Sequence, residues 1–222
     1  MKTSIARKVS MALSAVFLMI FLLQHFAINV TSIFCEDIFN NLSHFMGTNF
    51  AVQYIMQPIL IFGVVFHFVM GFILELKNKQ SRNIKYVKNN GGANSSWMSR
   101  NMVLSGLVIL AFMGLHFYDF WLPELKTKFV DGDWTGVLEG ETGLRYFTEL
   151  QHKFVNPIRV AIYCVAFIFL SLHLLHGFSS AFQSMGANNK YTRALSKFGV
   201  AYAILIPLGF IVIALFHHFN HC

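Results

Sequence analysis

The chain has 222 residues, of which 55% are hydrophobic and 12% are charged, and its formal net charge is +7. A soluble domain carries about 25% charged residues, so this composition excludes a soluble domain and indicates an integral membrane protein. A membrane location also excludes nucleic acid as the explanation for the basic excess. We expect one transmembrane domain over residues 1–222.

The cysteines do not indicate a metal or redox centre. Cys35, Cys164 and Cys222 lie far apart and form no C-x-x-C motif. Neither a zinc site nor an iron–sulfur cluster is therefore supported, and haem attached through thioether links is not expected.

Five apolar stretches are long enough to cross a bilayer, which takes about 20 residues. The first follows a basic start, but no small-residue cleavage site follows it, so we interpret it as an uncleaved span. The predicted spans are, in order, 11–30, 51–74, 102–122, 160–185 and 200–219. Pro58 predicts a kink in the second span, and segments 36–49 and 123–156 are predicted to be loops. We expect an all-α integral membrane fold with five transmembrane helices, the first four forming a four-helix bundle.

Charges alternate from one side of the predicted bundle to the other. The N-terminal segment and the loops after the second and fourth spans hold 12 of the 17 Lys and Arg residues. The opposite side holds nine of the ten Asp and Glu residues. Because positive charge is retained in the cytoplasm, the N-terminus is predicted to be cytoplasmic and the C-terminus to lie outside.

Each of the first four spans contains a histidine. An ionisable side chain at membrane depth usually faces a bundle interior or a cofactor, and histidine is a common axial ligand of haem iron. Helical rise puts His25 and His116 about 25 Å from the cytoplasmic boundary, and His67 and His176 about 15 Å from it. Two depth-matched pairs predict two stacked haems, with His25 and His116 on the outer haem iron and His67 and His176 on the inner one.

Neighbouring residues bear on this assignment. His173 lies one turn from His176 and is a rival ligand on the fourth span. Gly63 and Gly71 flank His67 at a distance of four residues, which would leave room for a flat macrocycle, although small residues also serve plain helix packing.

The other polar groups divide between the two sides of the membrane. The inner ends of the spans offer four donors for haem propionates: Ser10, Ser14, Trp97 and Ser99. Three outer-side residues could meet a quinone head group: His44, Asn49 and Gln53. Histidines at or beyond the outer boundary are expected to be solvated: His44, His217, His218 and His221.

The five spans, the four histidines and the sequence LHLLHGFSSAFQSMG in the fourth span together resemble the five-helix, di-haem cytochrome b subunit of succinate dehydrogenase and fumarate reductase complexes. That resemblance implies a non-catalytic electron-transfer subunit in the bacterial cytoplasmic membrane, with two haems b held by His25, His67, His116 and His176. It also implies a flavoprotein (FAD) subunit and an iron–sulfur subunit docked on the cytoplasmic face, and menaquinone or menaquinol near the outer haem. Some members carry a glutamate on the fourth helix for proton transfer, and this chain has no carboxylate there.

Two other classes of protein remain open at this point. One is a di-haem cytochrome b anchor of another membrane oxidoreductase, such as a hydrogenase or formate dehydrogenase. The other is a haem-free, proton-coupled transporter whose histidines relay protons. If haem is bound, two axial histidines leave the iron no open position, so electron transfer is expected rather than oxygen binding.

Overall fold

The computed structural model of the protein describes residues 4–80, 101–137, 143–187 and 191–220. Within these residues the fold is all-α, with no β-strand, and five helices are long and apolar enough to cross a membrane. They are α1 (Ser4–Phe34), α3 (Val52–Gln80), α4 (Met102–Val130), α6 (Pro157–Ser184) and α7 (Thr192–Phe219). The predicted all-α, multi-pass membrane fold is therefore confirmed.

Two short helices occupy the segments that were predicted to be loops. These are α2 (Glu36–Thr48) and α5 (Tyr146–Phe154). Each buries only a narrow apolar stripe, so its mean composition is polar and gives no sign of a membrane span. Tertiary contacts stabilise them: the side-chain oxygen of Asn40 in α2 accepts a hydrogen bond of 2.8 Å from the backbone N–H of Phe147 in α5.

The first four spans form a ring. Helix α1 packs against α3 and α6, and α4 packs against α6 and, over a shorter stretch, against α3. As a result, α1 lies diagonally opposite α4, and α3 lies diagonally opposite α6. Cofactor sites in four-helix bundles are built from side chains that face each other across such a core.

Helix α7 packs outside the ring, against α6 and α1. Gly209 allows a close approach here, because a Cβ at this position would lie 2.3 Å from the ring of Phe26. The Tyr202 hydroxyl also donates a 2.6 Å hydrogen bond to the carbonyl of Met19. The outward faces of α3 and α7 are apolar and exposed, as expected for contact with lipid; they include Phe62, Val65, Val69, Leu205, Leu208 and Val212.

Two of the spans contain π-helical turns. The span α3 begins with the turn Val52–Met56, which ends two residues before Pro58, where proline removes one backbone donor and crowds the preceding turn. In α4 the turn Phe117–Trp121 follows directly after the α-helical part that ends at His116, and a second turn, Lys126–Val130, follows the α-helical residues Leu122–Leu125. Such turns occur frequently at functional sites.

One end of the bundle is covered by α2 and α5, and we call it the capped end. It is the side that the charge distribution predicts to lie outside. His217 in α7 is 0% exposed here, bonds Ser32 Oγ at 2.8 Å and lies 5.5 Å from the ring of Phe147. The prediction that His217 is solvated is therefore wrong, because α5 covers the end of α7. His218 Nδ1 lies 2.8 Å from the carbonyl oxygen of Phe154, and His221 lies outside the described residues.

Candidate functional site

The structure brings His25 and His116 together across the bundle. His25 lies on α1 and His116 on the diagonally opposite α4, and their ring centroids are 5.8 Å apart at an interplanar angle of 86°. Phe21 and Phe112, one turn earlier on each helix, stack on the two histidine rings. These are the two residues that the sequence predicts as the outer pair.

The second pair consists of His67 on α3 and His173 on α6. Their ring centroids are 6.4 Å apart at an interplanar angle of 68°. The predicted partner of His67 was His176, and the structure does not bring these two together. Instead, His176 Nε2 lies 3.1 Å from Ser180 Oγ on its own helix.

The positions of the helix ends explain this difference. The depth prediction measured His67 from Lys77 and His176 from Gly186, which gave both histidines the same depth. In the structure α3 continues to Gln80, so His67 lies 13 residues from its end. His173 and His176 lie 11 and 8 residues from the end of α6 at Ser184, so His173 is the closer match to His67.

Two buried serines contact the inner pair. Ser14 Oγ lies 2.8 Å from the carbonyl oxygen of Met11 and 3.0 Å from His67 Nδ1. Ser105 Oγ lies 2.9 Å from the carbonyl oxygen of Met102 and 3.1 Å from His173 Nδ1. A hydroxyl has a single hydrogen, so a serine that donates it to the carbonyl accepts the N–H of the imidazole. In that arrangement both rings keep the lone pair on Nε2, the nitrogen available to a metal.

Two of the four predicted propionate donors lie in the described residues. The hydroxyl of Ser14 contacts His67 Nδ1. Ser10 lies beside it in a groove between α1 and α3. Trp97 and Ser99 lie outside the described residues. Gly106 on α4 packs next to His173, where a Cβ would lie 3.7 Å from Cε1 of its ring.

The geometry of both pairs fits an iron held by two imidazoles. A metal bound by two ring nitrogens at about 2 Å each separates the ring centroids by roughly 6 Å. The observed separations are 5.8 Å and 6.4 Å. The described part of the chain contains no group of three or more His, Cys, Asp or Glu suited to a metal ion. Two-histidine pairs of this kind suit a cofactor that supplies the other iron ligands itself, as haem does.

A buried carboxylate lies beside the outer pair. Asp119 is 1% exposed and lies in the π-helical turn that follows His116. Its Oδ2 accepts a 2.9 Å hydrogen bond from the Tyr163 hydroxyl and lies 3.3 Å from Arg159 Nε. In the sequence Asp119 is one of the nine outer-side carboxylates, and its burial beside Tyr163 depends on contacts between α4 and α6.

The capped end contains a network of charged and polar side chains around two buried cations, which we call the capped-end cluster: His44, Glu124, Lys128, Arg145, Tyr146 and Glu149. Lys128 is 2% exposed and its ammonium group contacts Glu124 and the carbonyl of Gly47. Arg145 is 6% exposed and pairs with Glu124 and, at 2.7 Å, with Glu149.

The predicted quinone residue His44 lies in this cluster. Its Nδ1 is 3.4 Å from the Tyr146 hydroxyl. Burial and the nearby carboxylate of Glu124 raise the pKa of Tyr146 to about 12, so its hydroxyl remains a hydrogen-bond donor at neutral pH. The chain comes close here at Gly136, where φ is +68° and a Cβ would lie 2.9 Å from His44 Nδ1.

The other two predicted quinone residues are engaged by the backbone. The side-chain oxygen of Asn49 accepts hydrogen bonds from the N–H groups of Ala51 and Val52, at 3.0 and 3.3 Å. Gln53 Nε2 donates a 2.7 Å bond to the carbonyl of Met46. These contacts hold the turn between α2 and α3, and a role in quinone binding stays a prediction for both.

Two substitutions that each remove one positive charge at the capped end are expected to differ in their effect on the free energy of unfolding. Arg145→Met removes the buried guanidinium that pairs with Glu124 and Glu149 and leaves Glu124 only its pair with Lys128. Breaking such a buried pair should lower the free energy of unfolding by about 3 kcal/mol. The control Lys126→Met removes an exposed pair with Asp131, at 2.7 Å, and should cost about 0.5 kcal/mol or less. Chemical unfolding in detergent micelles, followed by circular dichroism, measures both. Equal losses would show that the cluster does not stabilise the capped end.

Comparison of the chain with protein families, with curated proteins and with solved structures found no significant match.

Proposed function

We propose that the chain is the membrane-anchoring cytochrome b subunit of a succinate dehydrogenase or quinol:fumarate reductase complex and binds two haems b. The observation that supports this most is the pair of histidine contacts, each between diagonally opposite helices. Their ring separations of 5.8 Å and 6.4 Å suit bis-imidazole iron. When bound, haem supplies one-electron chemistry at each site.

The residues of the chain have distinct tasks in this proposal. His25 and His116 hold the outer haem, and His67 holds the inner haem with His173 in place of the predicted His176. Ser14 and Ser105 keep the inner imidazoles in the tautomer that presents Nε2, as partners of metal-bound histidines commonly do.

The complex and its orientation follow from the resemblance and the charge distribution. The end opposite the capped end is proposed to be cytoplasmic, with the N-terminus there and the C-terminus outside, because the sequence segments predicted on that side hold 12 of the 17 Lys and Arg residues. A flavoprotein (FAD) subunit and an iron–sulfur subunit would dock on that face. Menaquinone or menaquinol would react near the outer pair, so the two sites would carry electrons across a bacterial cytoplasmic membrane.

Haem content tests this proposal directly. Two complete histidine pairs predict two non-covalently bound haems per chain, because neither site depends on a cysteine. A pyridine haemochrome assay on the purified protein should give a value close to two, with a b-type spectrum. A content below about 1.5 haems per intact chain would contradict two equivalent axial pairs.

The competing functions give different results in the same preparation. A haem-free, proton-coupled transporter would show no reduced-minus-oxidised haem spectrum. A di-haem anchor of a hydrogenase or formate dehydrogenase would show the spectrum but would co-purify with other soluble subunits. Recovery of a flavoprotein with covalent or tightly bound FAD and succinate-dependent haem reduction would support the proposed complex over that alternative.

A further inference from the structure

The outer and inner pairs differ in what their second ring nitrogens contact. In the inner pair each Nδ1 meets a serine hydroxyl. In the outer pair, His25 lies 3.5 Å from the side-chain amide of Asn29 on its own helix. His116 Nδ1 is buried and has no hydrogen-bond partner among the described residues. A buried ring N–H normally has an acceptor, so His116 points to a partner close by.

Asp119 also has a buried polar atom without a hydrogen-bond partner among the described residues. Its Oδ2 is held by Tyr163 and Arg159, while its Oδ1 is buried without a hydrogen-bond partner in the described residues. Asp119 lies three residues after His116, in the π-helical turn that begins at Phe117. The ring of Tyr163, which bonds Asp119, has its centroid 6.4 Å from that of His116. Two buried polar atoms without a partner in the described residues thus lie on either side of Tyr163.

We propose that Asp119 is the positioning partner of His116 and that its Oδ1 accepts the Nδ1–H of the imidazole through one water. This inference rests on the proposed haem-binding function. Metal-bound histidines characteristically donate their second N–H to a carboxylate, which fixes the ring orientation and makes the ligand more basic. Tyr163 and Arg159 hold the other carboxylate oxygen, so the side chain cannot rotate away from this position without losing both contacts.

The two haems are expected to differ in reduction potential. A carboxylate behind the ligand adds negative charge that favours ferric over ferrous iron, whereas the serines behind the inner pair are neutral. The outer haem should therefore have the lower potential. Asp119→Asn removes the charge with little change in shape. It should make the outer haem at least tenfold easier to reduce, which is about 59 mV for one electron.

Redox potentiometry of the complete two-haem protein tests this, with the inner haem as internal reference. The outer haem is identified as the one that His116→Ala removes. Asp119→Glu, which keeps the carboxylate, should restore most of the wild-type potential, and Asp131→Asn, an exposed carboxylate paired with Lys126, should leave both potentials unchanged. The highest g value of the outer ferric haem in electron paramagnetic resonance should shift in Asp119→Asn alone.

A second variant applies if Asp119→Asn fails to assemble. Tyr163→Phe keeps the packed ring and the charge of Asp119 but removes the hydrogen bond to Oδ2. The carboxylate then becomes a stronger acceptor for His116, so the outer potential should fall, in the direction opposite to that of Asp119→Asn. An unchanged outer potential in Tyr163→Phe, or equal shifts of both haems in Asp119→Asn, would overturn the assignment alone. A wild-type protein without haem would overturn the proposed function and this inference with it.

Discussion

His173→Ala is expected to abolish binding of the inner haem, and His176→Ala is expected to leave both haems in place. The His173 ring lies 6.4 Å from that of His67, and its Nδ1 lies 3.1 Å from Ser105 Oγ, which leaves Nε2 free of that contact. His176 directs its Nε2 to Ser180 on the same helix. Removing His173 takes away an axial ligand, whereas removing His176 takes away a hydrogen bond within one helix.

Absorbance spectra and haem content of the two purified variants make the comparison. Because the substitutions are identical and lie one turn apart on α6, each variant is the matched control of the other. His173→Ala should retain one haem and the outer-site spectrum, and His67→Ala should reproduce this loss. Retention of two haems in His173→Ala, together with loss of one in His176→Ala, would show that the depth-based pairing of His67 with His176 is the right one.

The double variant His25→Ala with His116→Ala is expected to separate the two ends of the proposed electron path. His67 and His173 lie further from the capped end than the outer pair does. Their serine partners, Ser14 on α1 and Ser105 on α4, are not changed by the two substitutions. Electron delivery from succinate to the inner site should therefore persist. Electron exchange with a menaquinone analogue should fall by orders of magnitude, because the outer pair lies between the inner site and the capped end.

Assembly has to be established first, since loss of a bound cofactor also lowers the stability of the bundle that binds it. Co-purification of the soluble subunits and an unchanged helical circular dichroism spectrum serve this purpose. The single variant His44→Ala, at the capped end, is a useful comparison, because it changes a proposed quinone contact and keeps both haem pairs. Near-normal quinone turnover in an assembled double variant would place the quinone site on the cytoplasmic side instead.

The sequence by itself determined the class of protein and the number of spans. Bilayer thickness requires about 20 apolar residues in a row, so this signal is local and is present in composition alone. It also determined that each of four helices offers at least one histidine at membrane depth, with two on the fourth span. The sequence did not predict the helices α2 and α5. They are short and amphipathic and are stabilised by tertiary contacts such as that between Asn40 and Phe147.

Only the tertiary structure decided which residues meet. His173 and His176 differ by one turn, about 4.5 Å of helical rise, which is smaller than the uncertainty of a helix end read from charges and glycines. The serine partners lie 53 and 68 residues from the histidines they bond, and Tyr163 lies 44 residues from Asp119. Such contacts depend on how α1, α3, α4 and α6 are arranged around one core, and hydropathy carries no information on that arrangement.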